Sequence, residues 1–150
     1  MDDKTTHELS AEQLKKLLGI CEEGAPRKRD DSGMEIIHTL QRLLEQPSRL
    51  VGGRAPGQVL LDPKADASHV LVVKEQAKRL ARGKCSPDEL ASLNAIYYAA
   101  IASALVFHHE KITRHTYQTL KTSFGKLMER PWMPAELVKL FAQARKRCNE

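Results

Sequence analysis

Apolar residues recur along most of this chain at the three- and four-residue spacings that place side chains on one face of an α-helix. The first stripe, Leu14, Leu17, Leu18 and Cys21, predicts an amphipathic helix over residues 10–21. Similar stripes predict about six helices, at roughly 10–21, 32–46, 66–83, 87–108, 113–130 and from 134 onward. The pattern therefore indicates an all-α protein.

Four of these helices begin with the spacing of a hydrophobic staple, in which an apolar residue before the helix packs on one five positions later. Each pair brackets a serine, a threonine or a proline, residues that helix starts favour. The pairs are Leu9–Leu14, Cys85–Leu90, Ile112–Tyr117 and Trp132–Leu137.

The predicted helix over residues 87–108 has the strongest signal. Ser86 is a favoured N-cap, Pro87 suits the first helical position, and Asp88 and Glu89 complement the positive end of the helix dipole. The helix is apolar on nearly all sides but is short for a bilayer span, so we expect a buried helix and no membrane partner. The expected fold is an antiparallel helical bundle with this helix at its centre.

One face of this central helix carries only small side chains, because Ala91, Ala95, Ala99 and Ser103 recur every four residues. Small side chains let a neighbouring backbone approach closely, so this face predicts one tightly packed neighbour. The same face would also suit a homodimer.

Residues 47–65 interrupt the helical pattern and are rich in proline and glycine, which predicts a loop. Within it, Val59–Leu61 indicates a short strand or a buried loop anchor. Two organisations follow: a hairpin over 8–46 joined by this linker to a bundle over 67–150, or one helical domain over 1–150. We favour the single domain because an isolated helical pair has little apolar surface to bury.

The net charge of +5 is unevenly distributed. Residues 1–50 carry 8 basic and 10 acidic side chains, residues 51–100 carry 7 and 5, and residues 101–150 carry 9 and 4. The basic C-terminal third suits phosphates or an acidic protein partner, or it is simply a solvated surface.

The three cysteines, Cys21, Cys85 and Cys148, are odd in number and widely spaced. This usage disfavours a disulfide framework or a zinc site. The polar, acidic N-terminus does not resemble a signal peptide, so we expect a cytoplasmic protein.

Two groups of basic residues are candidates for contact with a nucleic acid or an acidic partner. The first falls at i, i+4 and i+8 of the third predicted helix, as a ridge opposite its apolar stripe, and the second lies near the C-terminus, where basic side chains also complement a helix dipole. The candidates are Lys74, Lys78, Arg82, Arg145, Lys146 and Arg147.

Reactive side chains do not form a recognisable catalytic or metal motif. His108 and His109 are adjacent and project about 100° apart on a helix, so they lack the one-face spacing of helical metal ligands, even with Glu110 and His115 nearby. Cys85 suits a hydrophobic staple better than a catalytic thiol. We therefore predict no enzyme activity, no cofactor and no metal.

The sequence favours a non-enzymatic protein-interaction or regulatory module with an unidentified protein partner, and the alternative is a nucleic-acid-binding protein. Trp132, the single tryptophan, is a candidate partner anchor because tryptophan is favoured at interface hot spots. Its other interpretation is a staple residue packed on the core.

Overall fold

The computed structural model describes residues 32–148, and this part of the chain is helical, as predicted. The helices are α1 (Ser32–Glu45), α2 (Pro56–Leu60), α3 (Ala67–Arg82), α4 (Pro87–Phe107), α5 (Arg114–Met128) and α6 (Ala135–Cys148), with a 3-10 turn at Arg49–Val51. Five of these helices confirm predicted ones, and α2 was not expected. The predicted helix over residues 10–21 lies outside the described residues.

The helix starts are built from the local signals in the sequence. The side chain of Ser86 accepts a hydrogen bond from the backbone N–H of Glu89 at 3.1 Å, and the Glu89 carboxylate accepts one from the Ser86 N–H at 2.9 Å. This reciprocal capping box starts α4. Asp66 caps α3 and Thr113 caps α5 more simply, through one side-chain oxygen each that accepts a backbone N–H.

The central position predicted for α4 is confirmed. It packs against α1, α3 and α6. Aromatic rings extend the core to α5, since Tyr98 meets Phe124 edge-on at 6.4 Å between centroids and Phe124 stacks on Phe141 of α6 at 5.5 Å. By length and composition α4 alone among the described helices is apolar enough to cross a membrane. Inside this fold, however, 67% of its most apolar 18-residue stretch is buried.

The small-residue face of α4 is covered within one chain. Ala91, Ala95, Ala99 and Ser103 are at most 1% exposed. The expectation that this face serves a homodimer is therefore wrong, because neighbouring helices of the same chain already bury it. A homodimer through another surface stays a prediction.

Residues 47–65 are more ordered than the sequence indicated. The 3-10 turn is closed by a hydrogen bond from the backbone N–H of Ser48 to the carbonyl oxygen of Arg54 at 3.0 Å, and α2 follows. Val59 and Leu60 are fully buried, so the strand interpretation is wrong, and the expected buried anchor is a short helix and not a loop. Pro56 at the first helical position starts this short helix.

Buried side chains from α1 to α6 form one continuous hydrophobic cluster, which includes Leu40, Val51, Val73 and Phe141. Helix α1 lies directly on α4, where the hydroxyl oxygen of Ser92 is 3.5 Å from the carbonyl oxygen of Ile36. The described part of the predicted N-terminal hairpin thus shares the core of the C-terminal bundle.

Candidate functional site

One stripe of the central helix is not covered by the described helices. Tyr97, Ile101, Ala104 and His108 follow at i, i+4, i+7 and i+11 of α4, and all four are half-buried while most of the helix is fully buried. These spacings place them on one face. These four residues form a face of α4 that no described helix covers.

This stripe is the floor of a groove of about 760 Å³ between α3 and α5. Leu71 and Lys74 contribute to the α3 wall, and Thr116 and Thr119 to the α5 wall. The segment between α4 and α5 contributes Glu110 and Ile112 to the lining. The lining is mainly apolar with polar groups at the rim, the composition of protein sites that receive apolar ligands.

Local signals in the sequence place the two walls. The caps at Asp66 and Thr113 start α3 and α5 at the same end of the groove, so the N-terminal halves of both helices run along the C-terminal half of α4. The positive ends of two helix dipoles therefore meet at this end of the groove. The backbone N–H and hydroxyl of Ser68 hold the pKa of the Asp66 carboxyl below its usual value, with smaller contributions from His69 and His108.

Histidines contribute polar atoms to the groove. His108 and His115 line it, and the Nε2 atom of His108 is buried with no hydrogen-bond partner among the described residues. Within residues 32–148, no three His, Cys, Asp or Glu side chains are grouped to hold a metal ion. His109 has a left-handed backbone (φ 50°) and turns its Nδ1 to the guanidinium of Arg147.

The basic candidates on α3 occupy a different face from the one expected. Lys74 and Lys78 are half-buried on the flank of the helix, with Lys74 in the groove wall, and Arg82 is exposed near the C-terminal end. The side of α3 opposite its buried residues presents Glu75 and Arg79 instead. The expectation of a ridge opposite the apolar stripe is thus wrong for the two lysines, because the buried face is centred closer to them.

The C-terminal basic residues have separate roles. Arg147 donates from Nε to the carbonyl oxygen of Leu105 at 3.3 Å, which satisfies a backbone group left free at the end of α4. The guanidinium of Arg145 lies over Gly125 of α5. Only Lys146 of the three is exposed. The cluster is therefore largely a set of contacts between helices.

Cys85 and Trp132 are both half-buried against the core, as their staple positions predict. Burial raises the pKa of the Cys85 thiol, and the nearby Glu89 carboxylate raises it further. A raised pKa leaves less thiolate, so the environment of Cys85 does not activate it as a nucleophile. Trp132 has the position of a core side chain, and its role as a partner anchor stays a prediction.

The groove residues Leu71, Tyr97, Ile101 and Thr119 were not among the candidates from sequence. The signal that pointed toward them was the apolar character of α4 on all sides, which requires a neighbour on every side. Which side has no described helix on it is decided by how the helices pack in three dimensions.

Comparison of the chain with protein-family models, curated protein sequences and solved structures gives no match.

Proposed function

We propose that this protein is a non-enzymatic interaction module that receives an amphipathic α-helix in the groove between α3 and α5. The observation that carries the proposal is the half-buried stripe Tyr97, Ile101, Ala104 and His108, which runs along the floor of that groove. An incoming helix with apolar residues at the same spacing would complete the packing around α4.

The dimensions of the groove fit a short helix. Its floor spans eleven residue steps of α4, from Tyr97 to His108, which is about 16–17 Å of helix rise or three turns. Leu71 stands on the rim with 52% of its surface exposed and would be covered by such a helix. Burial of an exposed leucine is worth about 1.5–3 kcal/mol when complete, so a few such contacts support micromolar binding.

The charge of the protein favours an acidic helix as the partner. Residues 32–148 carry 18 basic and 10 acidic side chains, a net charge of +8. Long-range attraction of this kind raises the rate of association and weakens with added salt.

Two exposed leucines provide a matched test. Leu71 lies on the groove rim and Leu50 lies in the 3-10 turn, away from the groove, and they are 52% and 56% exposed. The probe is a fluorescein-labelled helical peptide with leucine on one face and glutamate on the other, followed by anisotropy. We expect Leu71→Glu to weaken binding by roughly tenfold and Leu50→Glu to leave it within about twofold.

Circular dichroism of both variants checks that the helical fold is retained. Equal losses for the two variants would show that binding does not use the groove. The proposal would be contradicted if the native protein bound neither this probe nor a second peptide with lysine in place of glutamate.

The excess of basic residues also favours a second candidate function, nucleic-acid binding along the Lys74, Lys78 and Arg82 flank of α3. Fluorescence anisotropy with labelled duplex DNA and single-stranded RNA tests it at low and near-physiological salt. We expect Lys74→Glu, Lys78→Glu and Arg82→Glu together to abolish salt-sensitive binding. The control reverses three exposed lysines that are not among the candidates, Lys64, Lys126 and Lys139, and undiminished binding by the α3 variant would reject this surface.

A further inference from the structure

A cavity separate from the groove lies where the C-terminal end of α1 and the 3-10 turn meet α3 and α4. Its volume is about 220 Å³, and no residue lines both the cavity and the groove. Helix α4 contributes Leu93 and Ile96, α3 contributes Val73 and Ala77, and the turn contributes Val51. These five residues are at most 5% exposed, so this part of the lining is apolar and buried. We call this space the α1–α3 cavity.

The rest of the lining opens the α1–α3 cavity to solvent. Gln46 and Pro47, directly after α1, are exposed, and Leu80 of α3 keeps 49% of its surface exposed. A small molecule can therefore enter without unfolding the helices. It would also cover part of Leu80, which is favourable because apolar surface leaves water.

The polar groups of the α1–α3 cavity are uncharged. They belong to Gln46, Ser48 and Gln76, and no acidic or basic side chain is part of the lining. The Oγ atom of Ser48 already accepts a hydrogen bond from the backbone N–H of Leu50 at 3.1 Å. No hydrogen bond joins either glutamine side chain to another residue within 32–148. Because an amide both donates and accepts, the two glutamines offer hydrogen bonds to a ligand.

The volume and the lining together define the class of ligand. A volume of about 220 Å³ is smaller than the roughly 300–1,000 Å³ of sites that bury drug-sized ligands, and larger than an apolar cavity of ~150 Å³ that holds benzene. One ring or two fused rings therefore fit. A charged ligand would lose its hydration with no opposite charge in the lining, which is unfavourable, so the fitting ligand is neutral.

The surroundings of the cavity favour a free compound over a side chain of a partner protein. Protein interfaces need an apolar centre that extends beyond a single pocket. Among the exposed large hydrophobic residues of the described chain, Leu80 is the one that lines this cavity. The rim therefore offers little apolar surface to a protein.

We propose that the α1–α3 cavity binds a small neutral aromatic compound that carries one hydrogen-bonding group. The ring packs on Leu93 and Ile96, and its polar edge faces the amide of Gln76. This inference goes beyond the proposed function, since the cavity and the groove share no residue.

Two-dimensional NMR of the isotope-labelled full chain, with indole as the probe, tests the proposal. We expect saturable shifts of the side-chain amide signals of Gln46 and Gln76, with a Kd below about 1 mM. Gln118 and Gln143 are matched internal controls, because they are exposed on α5 and α6 and lie outside the cavity, and their signals should not move. Absence of saturable shifts at Gln46 and Gln76, or equal shifts of the control signals, would overturn the proposal.

Substitutions in the full chain test the polar and the apolar parts of the site separately. Gln76→Ala removes one amide, and we expect it to weaken indole binding roughly fivefold, whereas Gln118→Ala should leave the Kd within about twofold. Ala77→Leu adds volume to the buried lining and should weaken binding at least ~10-fold. Its control is Ala135→Leu, an exposed change on α6, which should leave the Kd within about twofold.

Circular dichroism shows whether each variant keeps the helical fold. Gln76 is half-buried on α3 and alanine is a good helix former, so Gln76→Ala gives a result even if Ala77→Leu fails to fold. Unchanged indole affinity in Gln76→Ala would overturn the placement, whatever the behaviour of Ala77→Leu.

Two further probes test the class of ligand. An indole carboxylate has the same ring with a negative charge and should bind at least ~10-fold more weakly than indole, because its charge would be desolvated without a partner. Equal binding of the two would contradict a neutral ligand. N-acetyltryptophanamide presents the ring as a protein side chain does, and we expect it to bind no more tightly than indole. Tighter binding would overturn the assignment to a free compound and identify a tryptophan of a partner protein as the occupant.

Discussion

At the scale of single residues, two helical glycines differ in what lies beside them. A Cβ atom built on Gly57 of α2 would be 3.1 Å from the carbonyl oxygen of Leu44, a backbone atom of α1. A Cβ atom on Gly125 of α5 would be 3.4 Å from Cζ of Arg145, near the end of a flexible side chain. An added methyl group is therefore crowded by backbone at the first position, whereas at the second it meets a side chain that can move.

We predict opposite signs for alanine at these two sites. Gly57→Ala should lower the free energy of unfolding by about 1–3 kcal/mol, because the added methyl group pushes on the α1 backbone. Gly125→Ala should raise it by up to ~1 kcal/mol, since alanine loses less conformational freedom in a helix and Arg145 has room to adjust. Urea unfolding followed by circular dichroism measures both, and a stabilised Gly57→Ala variant would contradict the close approach.

The reactivity of Cys85 is a second residue-scale prediction. Burial and the Glu89 carboxylate raise its pKa above the ordinary value of 9.0, so little thiolate is present at neutral pH. In a Cys21→Ser, Cys148→Ser background, iodoacetamide should modify Cys85 more slowly than free cysteine at neutral pH, and the rate should still be rising above pH 9.0.

Glu89→Gln is the informative variant for this reaction. Glutamine keeps an oxygen that accepts the Ser86 N–H bond but removes the negative charge, so we expect a modest increase in the alkylation rate. A thiol that reacts faster than free cysteine at neutral pH would contradict the environment described for Cys85.

At the scale of the element, the start of α3 depends on an ionised cap. Asp66 accepts hydrogen bonds from the backbone N–H of Ser68 at 3.0 Å and from its hydroxyl at 2.9 Å, which lowers the pKa of the carboxyl. A carboxyl whose pKa is lower in the folded than in the unfolded state stabilises the fold above the unfolded value of 3.8. That contribution is lost as the pH falls through the folded pKa.

We therefore predict that the stability difference between native protein and Asp66→Ala is constant near neutral pH and shrinks below pH 3.8. Asp66→Asn, which caps without a charge, serves as the control and should show a weaker dependence on pH than the native protein. Thermal unfolding over a pH series measures this. A difference that grows on acidification would mean that the ionised cap is not the stabilising form.

At the scale of the whole molecule, α1 and the C-terminal helices share one core. Leu40 of α1 is fully buried in the same cluster as Phe124 and Phe141. Trp132 is half-buried against that cluster and is the single tryptophan, so its fluorescence reports on the C-terminal part.

We predict that Leu40→Ala lowers the free energy of unfolding by about 2–5 kcal/mol. It should shift the unfolding curve measured by Trp132 fluorescence as much as the curve measured by circular dichroism. A shift in circular dichroism alone would show that α1 unfolds independently, as in the hairpin-and-linker organisation. Lys139→Ala, an exposed change on α6, is the control and should move neither curve appreciably.

Much of the fold was predictable because its signals are local. The caps at Asp66, Ser86 and Thr113 lie within a few residues of the groups that they satisfy, so α3, α4 and α5 begin where the sequence indicated. The central position of α4 also followed from composition, because a helix that is apolar on nearly every side has to be surrounded.

Other features required the tertiary structure. Helix α2 is too short for a periodic stripe, and its burial depends on contact with α1. The partners of Arg147 are 42 and 38 residues away, at Leu105 and His109, so its role in closing the end of α4 has no local signal.

The groove shows most clearly which features depend on the sequence alone and which depend on tertiary structure. The sequence by itself determined that α4 requires neighbours on all sides and that residues 10–21 have an apolar stripe, since both depend on spacing along one helix. Only the tertiary structure decided that α3 and α5 stand on either side of a groove over Tyr97 and Ile101. The position of that groove depends on how several helices pack at once, and spacing along a single helix does not specify it.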